Sequence, residues 1–133
     1  MRKMIQAFLV AMMALSLNAN ADDLKPQPSR AILERHDQSG VAGKEIVIGT
    51  ALLPAGTAVG YHTHPGDESG FVLKGTLTLK TKGQPDRVLH AGDSFFNVRG
   101  AVHSVAADSS GEGGTAVSTW VVDKDAPLAT PVP

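Results

Sequence analysis

His62 and His64, separated by one residue, are the first feature of this chain that could do chemistry. In a β-strand alternate side chains share a face, so both imidazoles would point the same way. Neutral imidazoles are good ligands for divalent transition metals. Pro65-Gly66 beside them reads as a turn, and Glu68 beyond it can bring a carboxylate back to face the pair. Two imidazoles with one carboxylate form the donor set of non-haem iron sites. A third imidazole, His103, follows a second Gly-bounded turn in HAGDSFFNVRGAVHSV, residues 90–105. The chain has no Cys, so imidazole, carboxylate and water are the donors that remain.

The other polar residues read more plainly. His90 is an odd number of residues from any candidate ligand, and His36 belongs to an early strand, so both are expected to be structural. Asp93 follows Gly92 and reads as a turn residue bonding its own backbone. Asp67 and Glu45 are the acids that could supply a second titratable group to a pocket, although the pattern places neither there. Arg99, in the turn before His103, could meet an anionic substrate, but solvated surface charge is the simpler reading. Tyr61, Phe71, Phe95, Phe96 and Trp120 are expected to be mostly core, with one or two lining a pocket.

These residues need strands to hold them, and the pattern supplies strands. Ala31–His36 and Lys44–Leu53 are expected first, the second with Ile46, Ile48, Thr50 and Leu52 on one face. Ala58–His64, Phe71–Lys74, Thr76–Lys82, Arg87–His90, Ser94–Val98, Val102–Ala106 and Thr115–Asp123 continue the series, broken by Gly- and Pro-containing turns. No stretch after residue 21 keeps a helical period. Frequent turns and short strands indicate an all-β sandwich or barrel. Residues 124–133 contain three Pro, which forbid central-strand pairing.

Residues 1–21, MRKMIQAFLVAMMALSLNANA, read as a signal peptide: Arg2 and Lys3, then a short apolar run, then Ala19-Asn20-Ala21. The run is shorter than the roughly 20 residues of a membrane span. The mature chain is expected to start at Asp22, with residues 22–35 as an extended leader, 36–123 as the barrel domain and 124–133 as a Pro-rich tail. A periplasmic or secreted bacterial protein follows, with no stable membrane span after cleavage. The four Met all lie in the removed part, and the mature chain would hold no sulfur. The net charge of −1 becomes more negative when Arg2 and Lys3 leave. No basic patch with interleaved aromatics is present, which argues against nucleic acid as a partner.

The window GTAVGYHTHPGDESGFVLKG, residues 56–75, resembles the first motif of the cupin family, G-x5-H-x-H-x3-E-x6-G. Gly56, His62, His64, Glu68 and Gly75 match each defined position. The second family motif, G-x5-P-x-G-x2-H-x3-N, is met by Gly92, Gly100 and His103, with Val98 in place of Pro and Ala107 in place of Asn. The departures fall on turn and hydrogen-bonding positions, not on the ligand. The resemblance spans roughly residues 40–123. It implies an all-β jelly-roll barrel, a double-stranded β-helix, whose motif residues converge in one mouth. It also implies one divalent transition metal ion (Fe, Mn, Ni, Cu or Zn) on His62, His64, Glu68 and His103, with two positions left for water, dioxygen or substrate.

Two functions are compatible with these residues. One is a metal-dependent oxidoreductase of dioxygenase type acting on a small organic molecule, with Glu68 as the candidate catalytic base. The other is a non-catalytic module that binds a sugar or an organic anion around a structural metal. Exposed strand edges, and the pairing habits of the family, lead to the expectation of a homodimer.

Overall fold

The computed structural model describes residues 25–133. Residues 1–21 and their cleavage site therefore lie outside the described residues. The described chain is all-β, with β1 (Ser29–Asp37), β2 (Lys44–Leu53), β3 (Ala58–Thr63), β4 (Gly66–Thr81), β5 (Arg87–His90), β6 (Ser94–Asn97), β7 (His103–Ala107), β8 (Gly114–Asp123) and β9 (Thr130–Pro131). Every pairing is antiparallel, in the order β1-β2-β8-β4-β7-β3-β9, with β5 and β6 also on β4.

The separation of Phe71–Lys74 from Thr76–Lys82 is corrected by β4, which runs unbroken for 16 residues. Its first half, Gly66 to Gly75, pairs with β8 and β6, and its second half, Thr76 to Thr81, pairs with β5 and β7. One strand therefore joins both walls of the barrel. The change of wall occurs at a register shift between Val72 and Lys74 and at Gly75, whose φ is 76°. A Cβ at Gly75 would stand 1.8 Å from the Gly113 carbonyl oxygen, so a side chain has no room at this corner.

Alternation along the strands fixes which residues face inward. On β2, Val47 and Leu53 are buried, while Ile46, Ile48, Thr50 and Leu52 form the outer face. On β8, Ala116, Ser118, Trp120 and Val122 point in. One core cluster brings Leu53, Val72 and Ala116 from one wall against Leu77, Leu79 and Leu89 from the other. Each such side chain, fully buried, contributes about 1.5–3 kcal/mol. Val47, Trp120, Val122 and Leu128 form a second buried cluster. The polar site lies on inward positions beside Trp120, so apolar packing on both sides supports it.

β1 begins at Ser29, inside the stretch expected as an extended leader, and all nine of its residues are exposed, Ile32 and Leu33 included. It is held through its ladder to β2. The Pro-rich tail also makes a short edge pairing: His62 opposes Pro131 and Thr63 opposes Thr130. Among the described residues no helix is long and apolar enough to cross a membrane.

Candidate metal centre

The turn at Pro65 and the ladders around it bring His62, His64, Glu68 and His103 together. His62 lies near the end of β3 and opposes His103 on β7. His64 follows β3 directly, and Glu68 stands on an inward position of β4 between Trp120 and Asn97. The ring centroids of His62 and His103 are 4.3 Å apart, those of His62 and His64 5.0 Å, and those of His64 and His103 5.1 Å. One ligand nitrogen from each ring lies within 4.8 Å of the others.

The outer nitrogen of every ring is engaged by a backbone carbonyl. His62 Nδ1 lies 2.8 Å from the Gly60 oxygen, His64 Nδ1 2.6 Å from the Leu128 oxygen, and His103 Nδ1 2.9 Å from the Ala101 oxygen. A ring that donates from Nδ1 turns the lone pair of Nε2 inward, the arrangement that metal-binding histidines use. His64 Nε2 is buried and makes no hydrogen bond while Nδ1 carries the proton, although the Glu68 Oε2 oxygen stands 3.1 Å away. An unpaired buried acceptor is costly, and a metal ion is the partner its lone pair fits.

Glu68 lies beside the three imidazoles, outside the set of nitrogens that converge. Its Oε2 is 3.1 Å from His64 Nε2 and 3.3 Å from His103 Nε2. Ser118 Oγ donates to Oε1 at 2.8 Å, and Asn97 Nδ2 donates to Oε2 at 3.1 Å. Burial alone would raise the Glu68 carboxyl, but its contacts with His103 and His64, and the Asn97 amide, outweigh burial and hold it far below the usual carboxylate range. Burial lowers the His62 imidazole, and the neighbouring His103 and His64 lower it further against the Gly60 carbonyl. Burial also acts to lower His103, but its bond to Glu68 and the Ala101 carbonyl raise it overall. Three imidazole nitrogens, each oriented from behind by a carbonyl, could hold a metal ion, with the ionised Glu68 oxygen beside two of them.

The other candidate residues lie elsewhere. His36 is exposed beside Glu34, and His90 is exposed beside Thr76. Asp93 accepts from the His90 backbone amide, as a turn residue does. Glu45 is buried and paired with Arg35. Asp67 accepts from the Arg99 amide. Arg99 itself is bound to Asp123 and to the Pro65 carbonyl. Its guanidinium clamps the loop beneath the site and is raised further by Asp123. Glu68 is therefore the one carboxylate lining the cavity among the described residues.

The imidazoles open onto a cavity of about 390 Å³. Its walls are mainly Leu, Val, Phe95 and Trp120, from both core clusters. Asn97 and Ser118 also line it and were not singled out in the sequence. Their signal was the phase of strand alternation: each shares the inward face of its strand. The Leu128 carbonyl left no sequence signal, because any residue there supplies the same oxygen.

Residues 49–120 match the cupin domain family. The chain belongs to the cupin family. One relative is dimethylsulfoniopropionate lyase DddQ of Ruegeria pomeroyi, 36% identical over 52 residues, which are 39% of this chain and 26% of that protein. The crystal structure of that lyase superposes with a TM-score of 0.66 at 20% identity, over 90% of this cupin and 59% of the lyase. KdgF from a Halomonas species gives 0.61 at 19% identity, over 77% of this chain and 86% of its own. A cupin-like protein of Thermotoga maritima gives 0.61 at 21% identity, over 79% and 75%. These structural likenesses establish the jelly-roll fold. This cupin spans about a quarter of the curated lyase in sequence and under two thirds of its structure.

Proposed function

We propose that this cupin is an exported enzyme that holds one divalent transition metal on His62, His64, Glu68 and His103. We further propose that it converts a small organic molecule as an oxidoreductase of dioxygenase type. The observation that carries this reading is the convergence of one nitrogen from each of His62, His64 and His103 at the wall of an apolar cavity. A metal in that position would supply a Lewis-acid centre with open coordination positions. The chain's own part is orientation and exclusion of water. The three carbonyls fix the imidazoles, Asn97 and Ser118 fix Glu68, and the apolar wall strengthens electrostatic contacts by keeping water out.

Glu68 is held as a carboxylate, which suits a ligand. Taking a proton from substrate costs it more, because the Asn97 and Ser118 hydrogen bonds favour its ionised form. Among the described residues the cavity also lacks a second carboxylate. These features favour chemistry at the metal over proton shuttling.

A second reading is a lyase, favoured by the likeness to dimethylsulfoniopropionate lyase DddQ in both sequence and structure. The test is one screen on iron-, manganese-, nickel-, copper- and zinc-loaded protein. Oxygen uptake with phenolic and diketone substrates supports the oxidoreductase. Anaerobic loss of dimethylsulfoniopropionate supports the lyase. Silence in both arms, with saturable binding of a sugar or an organic anion, would replace either enzyme by a binding module.

A further inference from the structure

Arg30 lines the same cavity as the three histidines. It opposes Ala51 across the β1–β2 ladder, and opposed residues in an antiparallel pair project to the same face. Ala51 is also a wall of the cavity. Four arginines occur among the described residues, and three are committed: Arg35 to Glu45, Arg87 to the Ser94 carbonyl, and Arg99 to Asp123 and Pro65. Arg30 alone has neither an ion pair nor a hydrogen bond. The carboxylate in the cavity, Glu68, is already occupied by Ser118, Asn97 and two imidazoles. One cation therefore faces a largely apolar chamber with no anion among the described residues to meet it.

We propose that Arg30 is the specificity residue of this cavity and that the ligand is a small organic acid. Its carboxylate is held by the Arg30 guanidinium at the β1 wall, and its apolar body lies among the leucines and valines. A planar guanidinium accepts a carboxylate in two parallel hydrogen bonds, which a neutral group cannot match. The lining offers few hydrogen-bonding groups for the many hydroxyls of a sugar, so the acid is favoured over the sugar. A divalent ion on three neutral imidazoles and one carboxylate would leave net positive charge, which attracts the same anion. This inference rests on the cavity being the small-molecule site proposed above, but not on the metal.

The test is a matched pair of probes, 4-methylpentanoate and 4-methylpentanamide, titrated into chelator-treated and zinc-loaded full-length mature protein. In metal-free protein the acid should bind about tenfold or more tightly than the amide, the size expected of one charge-assisted contact. Arg30→Gln should erase that gap and leave amide affinity unchanged, while Arg30→Lys should retain part of it. Equal binding of acid and amide, absence of acid binding at millimolar concentration, or an unchanged gap in Arg30→Gln would each overturn the proposal. A preference for the acid seen only with zinc, and kept in Arg30→Gln, assigns the carboxylate to the metal and also overturns it. Failure to retain zinc at all would count against the metal centre and leave the Arg30 result standing.

Discussion

Asn97 donates its side-chain amide to Glu68 Oε2 across 3.1 Å, and both groups are buried. The contact joins β6 to the ligand-bearing half of β4 and fixes the orientation of the carboxylate. Asn97→Ala should therefore weaken metal binding by about 10–100-fold without removing a ligand. Ser118→Ala should act in the same direction through Oε1. Competition with a fluorescent chelator measures this, and unchanged affinity in both variants would show that Glu68 needs no support.

Loss of a direct ligand should cost more. His62→Ala, His64→Ala, Glu68→Ala and His103→Ala should each release most of the ion during dialysis against a weak chelator, with affinity down by well over about tenfold. His36→Ala and His90→Ala should keep full metal content, since both side chains are exposed and away from the cavity. Elemental analysis of the six proteins decides between them. Equal ratios throughout would place the ion, if one is bound, outside this site.

The pH dependence follows from shifts of opposite sign. His103 is raised, so its contribution to stability is complete below the unfolded value near about 6.5 and is lost as pH rises through its folded value. Glu68 is lowered, so its contribution is present above about 4.3 and is lost only as pH falls toward its folded value. His62 is lowered, so its contribution is present above about 6.5 and fades as acid protonates it. In metal-free protein, Glu68→Gln should destabilise most near about pH 5.5, where His103 is charged, by up to about 3 kcal/mol. The gap should narrow toward alkaline pH. Thermal unfolding against pH checks the trend, and a gap that widens with pH would contradict it. In the loaded protein, protons compete for the same nitrogens, so metal should leave as pH falls below about 6.5.

Export predicts a mature chain that begins at or near Asp22. Intact mass of the exported protein is the measurement, and a soluble form that retains residues 1–21 would refute the signal peptide.

β1 predicts a dimer. Its nine exposed residues include Ile32 and Leu33, and an uncovered edge strand invites pairing. Sedimentation at micromolar concentration should give the mass of two chains. A mass of one chain would mean that β1 stays uncovered in solution.

The grouping of His62, His64, Glu68 and His103 was legible in the sequence because strand period and turn chemistry are local properties. His-x-His fixes two side chains on one face, and Pro65-Gly66 fixes where the next carboxylate returns. The continuous β4 was not legible: Gly75 resembles a strand break until the close approach of the Gly113 carbonyl explains it. Ser118 and Asn97 were hidden for a different reason. Within Thr115–Asp123 the sequence gives alternation but not phase, and only pairing with β2 and β4 shows that Ser118 and Trp120 face inward. Arg30 was invisible because its importance lies in having no partner, which depends on the whole fold.

The tail carries a consequence for the lifetime of the site. The Leu128 carbonyl orients His64, and the tail beyond it is fastened by the short β9 pairing and by the Val132 amide, which donates to the Tyr61 carbonyl at 2.9 Å. So few bonds open at a fraction of the free energy of global unfolding. An opening that also lifts Leu128 out of its cluster with Val47, Trp120 and Val122 frees the His64 Nδ1 proton and lets the ring rotate. The rate at which the protein exchanges its ion should then follow the peeling of these few residues, not the unfolding of the barrel. Hydrogen exchange at the Val132 amide would time that peeling directly, and bound metal should slow it.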